Sequence, residues 1–299
     1  MNTPHHYLHN FSGQLDLLPA LSLSWVMRLT FDSLIGAQPV KQDEWREITQ
    51  LYQCGQMIAR RLEQAPQPAY HNEGHVKEVL CAVVALWAAQ QDFQAREGVP
   101  PLPAVEGVLL WLAMLGHDLE HPGCYVAPSD LAQHGRLEAE SAQKVAGIMR
   151  AEGAAEHRIA QAVRLIEATE PYHAVPQSRE AWRHMPCLDT LLPVLAAESD
   201  QLASVWPTTG PATGDRLADE WRKDGHLEAA HRVASWQGRL AFLRHAQWVS
   251  PAADQILDLT TWLDKERQLL EREAARWDCL PQAESRAGHL AAIQAWLQP

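Results

Sequence analysis

The sequence predicts an all-α fold, a compact multi-helix bundle, on three observations. Apolar residues recur near the helical period through most of the chain. No stretch sustains the strict alternation of a half-buried strand. One segment, Val108 to Leu115 (VLLWLAML), is apolar on every side, as in a helix at the centre of a bundle. No repeat, low-complexity tract or linker divides the chain, so residues 1–299 read as a single domain, with residues 1–41 as peripheral helices.

In order along the chain, Ile48, Leu51, Tyr52, Ile58 and Leu62 mark the first strong helix, which Pro66 and Pro68 end. The next is expected from near His71 to about Gln91. Arg96 to Ala104 (REGVPPLPA) is a loop by its Gly and Pro content. The buried helix follows and is broken by Pro122 and Gly123. Further helices are expected over about Glu138–Glu152, Ala154–Glu170 and Leu191–Ser204, the last despite Pro193. Trp206 to Asp215 (WPTTGPATGD) reads as a loop. Long helical patterns then run over about Asp215–Trp248, with a break near Gly225, and about Ala252–Trp277. Leu290, Ile293, Trp296 and Leu297 suggest a short last helix.

Composition narrows the function. Hydrophobic residues make up 46% and charged residues 21%, which is globular rather than disordered. With 37 acidic against 25 basic residues, the formal net charge is −12. That balance disfavours a nucleic-acid polymer or an anionic membrane as partner, since both need a positive field. It allows a small phosphate-bearing substrate where local cations screen the site. The five cysteines, Cys54, Cys81, Cys124, Cys187 and Cys279, are odd in number and form no C-x-x-C pair. A reducing, cytoplasmic setting fits them better than a disulfide framework. The first residues lack the order of a signal peptide, and the longest apolar run, Val79 to Ala89, is too short to span a bilayer.

Two stretches carry chemistry. Tyr70 to Leu80 (YHNEGHVKEVL) sets His71 and His75 four residues apart beside an apolar run. Two imidazoles so spaced can meet one metal, or one can bind metal while the other handles protons. Leu115 to Gly123 (LGHDLEHPG) follows the buried helix and offers His117, Asp118 and His121. A charged Asp at the end of so apolar a helix is costly unless paired or metal-bound. Imidazole nitrogen with carboxylate oxygen suits Zn, Mn, Fe or Mg.

The order His75, then His117-Asp118, then a later acid resembles the HD metal-dependent phosphohydrolases. The closer resemblance is to the class I cyclic-nucleotide phosphodiesterases: YHN-x-x-H stands at residues 70–75 and HD-x-x-HPG at residues 117–123, with weaker similarity from about Gln42 to Leu270. The resemblance implies two divalent metals, Zn (or Mn or Fe) in a tight site and Mg (or Mn) in a more watery one. His75, His117, Asp118 and Asp200 would be the metal ligands, Asp200 coming from AAESDQLAS with Glu198 as its competitor. His71 would be the general acid and Glu138 the acid near a metal-bridging hydroxide. His121, Thr169, Glu170 and His173 would lie in the surrounding shell; Glu170 stands where the family usually has Asp. The following EWRKDG resembles an acid-aromatic stretch of the family. The implied reaction is hydrolysis of a 3',5'-cyclic nucleotide to its 5'-monophosphate.

Departures fall on the substrate side. CYV follows HPG where the family reaches an Asn, and Ala203 stands near the position of another. The family reads its purine with a Gln followed by a stacking Phe; here the match is Arg239 to Phe242, with Arg for Gln. A shifted alignment would use Gln237 and lose the Phe. An Arg offers only donors. Tyr70, Arg239 and Phe242 are therefore the expected substrate contacts. Two other readings stay open: a different phosphohydrolase, such as a nucleotidase or triphosphohydrolase, or a non-catalytic nucleotide sensor. The last helix is a candidate contact for a homodimer.

Overall fold

The computed structural model describes residue 15 and residues 17–36, 40–42, 44–127, 129–170, 188–246, 248–253 and 259–297. All regular structure among them is helical, as expected. A 3₁₀ turn, Leu18–Ala20, is followed by α1 (Leu23–Gly36), α2 (Glu44–Gln64), α3 (Glu73–Arg96), α4 (Ala104–Gly116), α5 (Arg136–Ala151) and α6 (Glu156–Glu167). Then come α7 (Leu188–Val205), α8 (Gly210–Lys223), α9 (Leu227–Ala234), α10 (Trp236–His245), α11 (Leu259–Trp277) and α12 (Gln282–Leu297). No helix among the described residues is long and apolar enough to cross a membrane.

α4 is the axis. Every residue from Ala104 to Gly116 is buried, and α1, α2, α3, α5, α6 and α7 pack around it. The all-round apolar pattern of the segment thus reflects neighbours on every side. Close approach is built into this shell. A Cβ on Gly55 of α2 would lie 2.6 Å from the Trp111 ring on α4. Gly55→Ala is therefore expected to destabilise the fold by about 1–3 kcal/mol through overpacking. A lowered urea midpoint at unchanged m-value would show it; an unchanged midpoint would mean that the ring yields freely.

Four expectations need correction. Residues 17–36 are not peripheral throughout: α1 buries Leu23, Val26, Met27, Phe31 and Leu34, and Thr30 accepts a hydrogen bond from Trp111 Nε1 at 3.0 Å. The stretch 206–215 is not all loop, because α8 begins at Gly210 with Pro211 in its first turn, where the missing N–H costs nothing. The helical pattern of 215–248 breaks twice. The second break is Ser235, extended at φ −78 and ψ 154, whose hydroxyl accepts the Gly238 N–H and caps α10. The helix expected from His71 begins instead at Glu73. Asn72 is its N-cap, its side-chain oxygen accepting from Gly74 N and His75 N at 2.7 and 3.3 Å.

Candidate metal centre

Two helix ends and the body of a third helix converge. The Asn72 cap puts His75 in the first turn of α3, and the end of α4 delivers His117 and Asp118. Asp200 comes from the middle of α7. His75 Nε2 lies 3.0 Å from Asp200 Oδ1, 3.3 Å from His117 Nε2 and 3.5 Å from Asp118 Oδ2. His117 Nε2 lies 3.2 Å from Asp118 Oδ2 and 3.3 Å from Asp200 Oδ1. Donors that share one metal at about 2.0–2.1 Å stand roughly 3.0–3.4 Å apart at their ligand atoms, as those of His75, His117 and Asp200 do.

The hydrogen bonding inside this group leaves it short of positive charge. His117 Nδ1 donates to Met114 O at 2.8 Å, so in its neutral form the ring turns an Nε2 lone pair toward the two carboxylates. Asp118 Oδ2 is buried and has no hydrogen-bond partner, and neither has His75 Nδ1. Lone pairs facing lone pairs repel unless a proton or a cation sits among them. Burial opposes charge on His117, yet Asp118 and then Asp200 raise its pKa well above the imidazole value. Burial likewise opposes charge on Asp118, but the His117 and His71 imidazoles hold its carboxyl well below the usual range. The His75, His117 and Asp200 side chains thus fit a divalent cation, which would take the place of the proton, with Asp118 Oδ2 beside them at 3.2–3.5 Å from the two imidazoles. The competing acid, Glu198, is turned away: it accepts from Val249 N and Ser250 N, each at 2.9 Å.

His71 stands beside this group in an arrangement of its own. It precedes the α3 cap, so it does not stack one helical turn from His75; the rings are 6.2 Å apart with planes at 84°. Its Nδ1 meets Glu220 Oε1 at 2.5 Å, and Glu220 Oε2 accepts the backbone N–H groups of Tyr70 and His71. Burial disfavours the imidazolium of His71, but Asp118 and Glu220 outweigh it and raise the pKa. Glu220 was not among the residues expected in the site, although EWRKDG opens with it. Gly123 makes the contact feasible: it sits at φ +73, and a Cβ there would meet Glu220 and Pro68. His121 lies face to face with His71 at 3.8 Å, and its Nδ1 accepts the Gly123 N–H at 3.0 Å. Burial and the charge of His71 push its pKa down to about 4, so it stays neutral.

A cavity of about 490 Å³ opens from the centre. Glu138, Thr169 and Glu170 line it on one side, with Thr169 donating to Ile166 O. Burial, then the charges of Asp118, Glu170 and Asp200, raise the Glu138 pKa. Tyr70 packs its ring 4.5 Å from His75 and faces Ser204 Oγ through its hydroxyl at 3.3 Å. Phe242 lines the far wall, partly exposed. Arg239 also lines the wall, but its guanidinium is engaged: Nε and Nη2 pair with Glu266, and Nη1 and Nη2 donate to Ser204 O and Val205 O. It therefore faces the cavity as a neutralised strut. Gln237 is exposed and does not line the cavity. His173 lies outside the described residues. No family model matches the chain, and comparison with curated proteins finds no match.

Proposed function

We propose that the chain is a metal-dependent phosphodiesterase, with a 3',5'-cyclic nucleotide as the expected substrate. The observation that carries this reading is the meeting of His75, His117 and Asp200 donor atoms at 3.0–3.3 Å, with Asp118 Oδ2 3.2–3.5 Å from both imidazoles, beside a His71–Glu220 pair whose imidazole lines a cavity of about 490 Å³. A diester anion repels nucleophiles and leaves a poor alkoxide. A divalent ion held by His75, His117 and Asp200, with Asp118 beside it and a second ion nearby, would supply positive charge to the phosphoryl oxygens and lower the pKa of water to about 7.

The chain's own groups do the rest. Glu220 accepts from His71 Nδ1, which fixes the ring and leaves Nε2 as the acidic end. Nε2–H protonates the departing oxygen, and the neighbouring Asp118 and Glu220 carboxylates favour the protonated ring by raising its pKa. Glu138, with its carboxyl pKa raised, is suited to take a proton from the attacking water. Tyr70, buried against His75, excludes solvent from the donor cluster.

The test is a substrate panel on protein loaded with Zn²⁺, Mn²⁺ or Mg²⁺: cyclic mononucleotides, cyclic dinucleotides, nucleoside triphosphates, nucleoside monophosphates and bis(4-nitrophenyl) phosphate. Turnover of a diester with release of a monoester is expected. No diester turnover with any metal would reject the reading, and turnover confined to nucleoside monophosphates would favour a nucleotidase.

A further inference from the structure

Away from the donor cluster, the cavity is mostly apolar, with Leu217, Val233 and Phe242 among its walls. Its polar side chains there are largely committed. Thr213 Oγ1 donates to Thr209 O, and Ser235 Oγ donates to Arg232 O while accepting from Gly238 N. The three arginines that line it are each ion-paired: Arg232 with Glu228, Arg239 with Glu266 and Arg286 with Asp215. No lysine lines it. Beyond the donor cluster and the imidazoles around it, little charge is left over for a second phosphate.

Gln201 is different. It follows Asp200 on α7 and lines the cavity, half-buried, with Asp200 and Ser204 on the same side of the helix. Its amide has no hydrogen-bond partner among the described residues. The other amide lining the cavity, Gln133, already accepts from Arg136 Nε. With no partner among the described residues and its polar atoms within reach of solvent, the Gln201 amide is free to hydrogen-bond water or a guest that displaces it. It offers both an acceptor and two donors.

We propose that Gln201 is the specificity-determining residue of this site, and that it reads uncharged hydrogen-bonding groups on the organic part of a substrate carrying one phosphate. This rests on the phosphodiesterase reading. The amide sits next to a donor of the metal centre, so a substrate held there by its phosphate presents its organic group along the wall that Gln201 lines. Discrimination between organic groups then comes from hydrogen bonds to one amide, with the arginines contributing shape alone.

The experiment compares kcat/KM for cyclic AMP, cyclic GMP, cyclic CMP and bis(4-nitrophenyl) phosphate in wild type, Gln201→Leu and Gln201→Met. The two variants keep nearly the same volume, so a folding defect in one leaves the other informative. In both, the wild-type preference among the three nucleotides, expressed relative to the aryl diester, should shrink on the order of 10- to 100-fold, mainly through KM. An unchanged preference in both variants, alongside wild-type turnover of the nucleotides, overturns the role of Gln201 and leaves the phosphodiesterase reading intact. Wild-type turnover of the aryl diester without discrimination among the nucleotides, or without nucleotide turnover, also overturns it. Absence of turnover for every diester overturns the phosphodiesterase reading and this proposal together.

Discussion

His71→Ala is expected to lower kcat for a diester with an alkoxide leaving group by about 10²–10⁴, with a much smaller loss on an activated aryl diester. The difference between the two substrates is the informative quantity. An aryl oxide departs without a proton, so only the alkoxide needs the acid. Glu220→Gln should move the same contrast in the same direction but less far, because an amide still reaches His71 Nδ1 while the charge that favours the imidazolium is gone. Single-turnover kinetics on both substrates would measure this. Equal losses on both would mean that His71 acts in binding or positioning, and no loss on either would remove it from the chemistry.

Glu266→Ala is expected to destabilise the fold by about 3–5 kcal/mol, because it leaves the Arg239 guanidinium buried without its counter-charge. Glu266 is fully buried on α11, with Arg239 Nε at 2.7 Å and His289 Nε2 of α12 at 2.9 Å. Arg239 in turn holds the last carbonyls of α7, Ser204 O and Val205 O. Loss of this network should therefore loosen the helix that presents Asp200. The Arg239→Met Glu266→Leu double variant should recover much of the loss, since replacing both ions with apolar groups removes the uncompensated charge. Urea denaturation of the two variants would show the difference; a single variant as stable as wild type would contradict the buried pair.

The same network sets an acid limit. Burial opposes charge on Glu266, but Arg239 and His289 hold its pKa below 4.5, and burial holds that of His289 below 6.5. Both values are depressed in the folded state. Their contributions are complete above 6.5 and fall as pH drops, first through the His289 window and then below 4.5. A melting temperature that declines over this range in wild type, with a flatter decline in His289→Gln, is the expected result. A parallel decline in both would assign the acid sensitivity elsewhere.

How far the sequence reveals the fold and the site follows from the range of each interaction. α4 is legible because burial on all sides leaves a purely apolar segment. His75, His117 and Asp118 lie in two short local motifs at helix ends, so their grouping can be anticipated. Asp200 needed a choice against Glu198, which only the packing of residues 248–250 on α7 decides. The start of α3 is set by Asn72, a strong N-cap residue that stands in the motif itself. Glu220 meets His71 across 149 positions, and Glu266 meets Arg239 across 27. Such partners are set by how helices pack, and no local pattern announces them. Arg239 was expected to meet substrate because Arg239 to Phe242 matches the family's Gln-to-Phe stretch, but the charge that answers it lies on another helix.

Metal content tests the shared coordination centre most directly. Wild type and His117→Ala would be stripped with chelator, reloaded with Zn²⁺ or Mn²⁺, desalted and assayed by elemental analysis, with circular dichroism to verify folding. Wild type should retain a tightly held ion on each chain and the variant should lose it. Equal metal in the two folded proteins, or none in either, would contradict the convergence of those imidazoles and carboxylates on a cation.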